Sequence, residues 1–349
     1  MVKCAKFALA VVCVLALSGW SKDAQLLVEL PPSCNTPDGM SLQPDGSIIV
    51  SMPNFNDETS PPMLMRITPE NKAEIFYAFP TPYPGLPRGI DRIRPMGIAR
   101  GPDGNLYLAD MQYMVDKDQK SRLWKIIVKN GKVEKMVPVA SGFNVANGVA
   151  IRGDYIYLTE SVLIEGFKPT MRSAVMRFKL DDENITLKTP LEKDSHVIAT
   201  FESARKDWPF GADGLTFDSK GNLYVGTFSD GELFKVTFDK DGKVVSNKLF
   251  AKGKITNCDG MACDVKTDKI YIADSSANAI QIVNPDGTIE TLAENADVTD
   301  KKTGGLDQPC EALVRGNEII ASNMDWPFPG FKNTKHQQPA TLSIIKLDK

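Results

Sequence analysis

Five oxygen-bearing side chains recur at one position of a short repeated phrase. The phrase is a polar residue, then Gly or a small residue, then an apolar strand. It reads Asp38-Gly39-Met40, Asn147-Gly148-Val149, Asp213-Gly214-Leu215, Asp259-Gly260-Met261 and, more loosely, Glu311-Ala312-Leu313, with Met96-Gly97-Ile98 as the apolar variant. If these positions share a centre, their carboxylates repel one another, and some must take up protons unless a cation neutralises them. Carboxylate and amide oxygens without His suit calcium, with magnesium or manganese as substitutes, and do not suit structural zinc.

Whether they share a centre depends on the elements that carry them. A second apolar run follows each phrase: SIIVSM, NLYLADM, YIYLTES, NLYVGTF, KIYIADS and EIIASN. The copies recur about 45–65 residues apart, the signature of radial repetition. The expected fold is therefore all-β, a six-bladed β-propeller with four-stranded antiparallel blades. Turns such as Pro44-Asp45-Gly46 and Pro102-Asp103-Gly104 follow the inner strands and belong to the opposite end of the channel. The sixth blade runs out after TLSIIKL, and QLLVEL at residues 25–30 supplies its missing strand. Closing the ring with the N-terminal strand removes an open sheet edge.

The repeat spans nearly all of the 349 residues, so residues 25–349 read as one propeller domain. A net charge of −3 and the lack of a basic run argue against nucleic acid as partner. Lys3 and Lys6 precede an apolar stretch from Phe7 to Leu17, too short to span a bilayer and laid out as a secretory signal peptide over residues 1–24. Cleavage after Ala16-Leu17-Ser18 or after Ala24 both fit. Leu17-Ser18-Gly19 begins like a lipobox, but Trp20 stands where the lipidated Cys would be. The expectation is an exported protein, periplasmic or secreted, with no membrane partner after signal removal. Four cysteines then remain, permitting a Cys34–Cys310 clasp between the first and last blades, with Cys258–Cys310 as the rival pairing.

The phrases resemble those of the senescence-marker-protein/gluconolactonase group of six-bladed propellers, related to paraoxonases and diisopropylfluorophosphatase. Asn147-Gly148-Val149-Ala150 with YIYLTES, and Asp213-Gly214-Leu215 with GNLYVGTF, carry the likeness best, and it covers about residues 30–347. The resemblance implies a calcium-type ion held at Asp38, Asn147 and Asp213, with Glu more usual than Asp at the first. It departs in blade two, where Arg94-Pro95-Met96-Gly97 replaces the family's Asn. Met96 also stands where paraoxonases place a catalytic His, so a His-based mechanism does not carry over. Glu311 and Asp259 are then expected to add a ligand and a base, with Asp213 or Asp259 orienting or deprotonating water. The reaction implied is hydrolysis of a lactone or related ester; the alternatives are a non-catalytic propeller that binds a small molecule or a protein, and a metal-free enzyme similar to strictosidine synthase.

Around that ring, Trp208, Phe210 and Trp326 are expected as apolar walls of a small-molecule site, with Met96 beside them. Arg94, in a cluster with Arg88 and Arg92, is a candidate for holding a substrate carboxylate. His196 falls on an outer strand, and His336 falls in a loop over the mouth.

Overall fold

The computed structural model describes residues 21–348 except Glu165, Phe167 and Lys168. The predicted signal peptide therefore lies, up to Trp20, outside the described residues. Six antiparallel sheets stand in a ring. Their inner strands are Met40–Leu42, Pro95–Arg100, Ala146–Arg152, Ala212–Phe217, Met261–Asp264 and Pro309–Arg315. The sixth sheet is completed by Gln25–Glu29, which pairs antiparallel with Thr341–Lys346 from Gln25 opposite Ile344 to Glu29 opposite Thr341. The ring is closed by its N-terminal strand, as expected. One addition was not foreseen: Ile185–Thr186 lies parallel to the outer strand Lys132–Phe143 and gives the second sheet a fifth member.

Strand alternation sends successive side chains to opposite faces, so each sheet packs against both neighbours. In the second strand of blade four, Leu223 and Val225 pack toward blade three, beside Tyr157 and Val175, while Tyr224 packs toward blade five, beside Ile270 and Ile272. Ile48 and Val50 of blade one likewise meet Ile320, Leu342 and Ile344 of blade six, sealing the ring with a core layer. Three short 3-10 turns are the helical elements among the described residues.

The repeated glycines sit where neighbouring inner strands nearly touch. A Cβ on Gly39 would lie 2.7 Å from Gly97 Cα, and one on Gly97 would lie 2.5 Å from the Asn147 carbonyl oxygen. The same Cβ on Gly148 would meet the Asp213 carbonyl at 2.4 Å, and on Gly214 the Asp259 carbonyl at 2.2 Å. None of the four adopts a left-handed φ, so space and not backbone conformation demands glycine here. Gly214→Ala should therefore cost about 1–3 kcal/mol by overpacking. An unchanged urea midpoint for that variant would show that the strands can part without loss.

Candidate functional site at the channel mouth

Asp38, Asn147, Asp213, Asp259 and Glu311 come together on one cavity of about 260 Å³, bounded lower down by Leu42, Ile98, Ile151 and Leu313. Each residue precedes the glycine contact of its blade, or its Ala312 equivalent, so the contacts that join the inner strands also set these side chains at one level. Backbone bonds from two directions hold them. The Asp38 N–H donates to Ser51 O within its own blade at 2.9 Å. Ser322 of the preceding blade donates to Asp38 O at 2.7 Å. Thr159 accepts from Gly148 N–H at 2.7 Å and donates to Asp213 O at 2.8 Å, and Ser51 donates to Met96 O at 2.7 Å.

A second set of polar residues, not foreseen from the sequence, anchors the loops leading into these strands. Glu160 accepts from the N–H groups of Asn144 and Val145, each at 2.8 Å. Asp274 accepts from Thr256 and Asn257, Asp110 from Arg94 at 2.8 Å, and Asn323 from Asp307 at 3.1 Å. All four are fully buried, Asp110, Asp274 and Asn323 as the last residue of a second strand and Glu160 within the longer strand Tyr155–Ile164. Their signal was present in the phrases LAD, TES, IAD and ASN, where an acid or amide closes an apolar run.

The electrostatics of the two sets differ. Burial pushes Glu160 up to about 7 and Asp110 to about 6, against the pull of several hydrogen bonds to each carboxylate. In the mouth, burial is the first cause for every acid, and like charge adds to it at Asp38, Asp213 and Glu311. Asp213 is raised well above the carboxylate range by burial and then by Asp259, Asp38 and Glu311, with the Asn147 side chain opposing. Burial and Asp259 raise Asp38. Glu311 is raised by burial and by Asp38 and Asp259, against one bond from Ala312 N–H. Asp259 rises to about 7 through burial, restrained by the Ser275 hydroxyl at 2.6 Å and Gly260 N–H at 3.1 Å.

These donors fit a hard divalent cation in chemistry. All are oxygens, they crowd negative charge, and Asp38 Oδ2 is buried with no hydrogen-bond partner. Among the described residues no three His, Cys, Asp or Glu side chains form a group that would hold an ion by themselves, so Asn147 and solvent would have to complete any coordination.

The other predicted residues fall into distinct places. Trp208 and Phe210 line an outer cavity with Phe228 and Phe328. Aromatic contacts continue from it in an arc: Trp208 meets Phe331 edge-on at 4.8 Å, Phe331 meets Phe328, and Phe328 meets Trp326, which stacks on Phe55 at 4.7 Å. At the other end Phe210 meets Tyr113. Met96 is buried among Met111, Cys310 and Met324 beneath Phe55, Tyr113, Phe210 and Trp326. Arg94 bonds Gln112 and Glu58. His196 pairs with Asp194 at 2.7 Å and stacks on Phe178, as expected for an outer strand, while His336 Nδ1 lies 2.8 Å from Asn56 Nδ2.

The expected disulfides are not formed. Cys34, Cys258, Cys263 and Cys310 are all free. Cys310 Sγ is turned to Pro37 O at 3.0 Å, and Cys34 Sγ lies against Met63 Sδ at 3.7 Å. Burial pushes the Cys34 thiol up to about 11, away from thiolate chemistry.

Residues 91–258 match the family model described as "SMP-30/Gluconolactonase/LRE-like region". This stretch of the propeller, just under half of the chain, is SMP-30/gluconolactonase-like. The matched stretch contains Asn147 and Asp213 and stops one residue before Asp259. No curated protein matches the sequence. Among solved structures this propeller is similar to a gluconolactonase from Xanthomonas campestris, at 11% identity and TM-score 0.58, covering 93% of this chain and 89% of that one. Regucalcin from Agrobacterium tumefaciens, a calcium-binding protein, gives 12% identity and 0.57 over 94% and 95%. A PQQ-bound aldose sugar dehydrogenase from Streptomyces coelicolor gives 13% and 0.59 over 93% and 98%. At such identities the likeness is one of fold, and the solved propellers it joins to this chain carry different chemistry.

Carboxyls raised by folding hold protons that the unfolded chain releases. Their stabilising contribution is complete below the unfolded carboxylate range near about pH 4 and drains away as pH climbs through the folded value, about 7 for Asp259. In chelator, the melting temperature should therefore fall between pH 5 and pH 8. Asp259→Asn should shallow that fall, and a pH-independent melting temperature would refute the electrostatic account.

Proposed function

We propose that this chain is an exported, cation-dependent hydrolase of lactones or related esters. The observation that carries the reading is the meeting of Asp38, Asn147, Asp213, Asp259 and Glu311, from five different blades, on one cavity with a buried, unpartnered carboxylate oxygen. Asp38, Asn147, Asp213 and Glu311 would hold a calcium-type ion, for which magnesium or manganese could substitute. When bound, such an ion polarises a carbonyl oxygen and acidifies a water.

The chain's own groups have separable tasks. Asp259 is the base: the Ser275 hydroxyl fixes Oδ2 and Gly260 N–H fixes Oδ1, aiming the carboxylate at a water in the ring. Asp213 orients the attacking water from the adjoining blade. Trp208, Phe210, Met96 and Trp326 furnish the apolar wall, and Arg94 stands at its polar end. The family match and the gluconolactonase neighbour support a lactone or ester as substrate class. Export rests on the layout of Lys3, Lys6 and the Phe7–Leu17 run.

A second reading, a non-catalytic propeller that recognises a small ligand or a protein at the same ring, is favoured by one fact. The acids are not grouped to hold an ion without Asn147 and solvent. Calorimetry with calcium on chelator-stripped protein separates the two. Asp213→Ala should abolish calcium binding and lower hydrolysis across a lactone panel by at least about 100-fold. Hydrolysis retained in stripped protein would sink the cation-dependent mechanism, and no calcium binding in folded wild type would favour the recognition reading. His196→Ala should leave both measurements unchanged, because its ring packs on Phe178 away from the mouth.

A further inference from the structure

Between the two ends of the aromatic arc, at the junction of blades one and two, lie two buried arginines. Arg92 and Arg94 retain 8% and 4% relative exposure. A guanidinium keeps its charge at any physiological pH and offers five N–H donors, so its burial requires both counter-charge and acceptors. The carboxylate of Glu58 stands between them: Arg94 Nη2 is 3.1 Å from Oε1, and Arg92 Nε is 3.9 Å from Oε2. Two further bonds run from Arg92 Nη2 to Glu58 O at 2.7 Å and from Arg94 Nη1 to Gln112 Oε1 at 2.8 Å. Arg92 Nη1 and Arg94 Nε remain buried without any partner.

The pair is thus already shaped around one carboxylate, and that carboxylate serves it poorly. It makes a hydrogen bond to one guanidinium, stands beyond hydrogen-bond range of the other, and leaves two donors unmet. Nor is it built into the fold, for the Glu58 side chain is 43% exposed, within the exposed run Asp57–Thr59. Aromatic residues flank the niche in sequence, with Phe55 three residues before Glu58 and Tyr113 next to Gln112. Both pack on the buried cluster around Met96 and Met111.

We propose that Arg92 and Arg94 form a binding site for an organic carboxylate with an apolar or aromatic body, and that Glu58 is an internal occupant which such a ligand displaces. The carboxylate takes the place of the Glu58 oxygens and can reach the unmet donors, while the body lies toward Phe55 and Tyr113. The inference deepens the proposed function, since it places an acidic group on whatever this mouth binds.

The test is calorimetric titration of the full chain with benzoate at fixed ionic strength and in chelator, so that no turnover is read. Glu58→Gln, a change at an exposed side chain, should bind benzoate at least tenfold tighter than wild type. A thermal scan of the same variant should show stabilisation by benzoate but not by chloride. Arg94→Gln in the Glu58→Gln background should abolish both effects. Equal or absent benzoate binding in wild type and Glu58→Gln would overturn the proposal and leave Glu58 as a plain ion-pair partner. Stabilisation surviving Arg94→Gln would place the site elsewhere. Inorganic phosphate binding as well as benzoate would overturn the assignment to carboxylates. A loss of hydrolase activity as the functional reading leaves these outcomes untouched, because none of them depends on catalysis.

Discussion

Neighbouring inner strands approach so closely that a single methyl group between them would strike backbone. That approach, with Cβ positions 2.2–2.7 Å from the next strand at Gly39, Gly97, Gly148 and Gly214, organises the centre of the molecule. The glycine must stand at one height in each blade, because the ring has one radius. The residue before it is then carried to the same height at the mouth. The mouth acids are gathered by a constraint of backbone packing, and their electrostatic cost is a consequence of where the glycines must lie. Ser51, Thr159 and Ser322 reinforce the approach by donating to the carbonyl of the next blade, so position is transmitted around the ring one blade at a time.

The same scaffold sorts its buried acids into two kinds. Glu160 and Asp274 each receive two or more backbone N–H groups, which is how a folded chain satisfies a buried carboxylate. Asp38 leaves an oxygen unpartnered, Glu311 receives a bond from its own neighbour Ala312, and both face other acids. An arrangement that only stabilised the fold would be expected to look like the first set. Leaving a buried carboxylate oxygen unpartnered is destabilising, and Asp38 Oδ2, set among the other acids, makes the mouth the candidate binding end of the channel.

Much of this was legible in the sequence because geometry forces residue identity there. Glycine is demanded at the inter-strand contacts, so the Asp-Gly and Asn-Gly phrases locate the blades, and the final TLSIIKL run without a partner points to the N-terminal strand. The second-strand acids were present in LAD, TES and IAD but read as strand ends, since nothing in one sequence distinguishes an anchoring acid from an exposed one. The cysteine pairing failed for a different reason. Cys34 and Cys310 do lie in adjacent blades, but side-chain direction, which spacing does not encode, turns one thiol to Met63 and the other to Pro37 O. The aromatic arc is assembled from segments as distant as Phe55, Tyr113, Trp208 and Trp326, and so has no local pattern at all.

Chemically, the mouth now has three zones that different parts of the chain create. The inner strands supply the acids, rigidly placed by the glycine contacts. The loops of blades one, two, four and six supply the aromatic arc, and the blade one–two junction supplies Arg92 and Arg94. The acids line one cavity and Trp208 and Phe210 another, and the stacked Phe55 and Trp326 join the second through Phe328 and Phe331. Rigid acids with loop-borne walls are also the combination that lets one propeller serve many substrates. The loops can change without disturbing the ring, while any change to a glycine or its neighbour moves the centre itself.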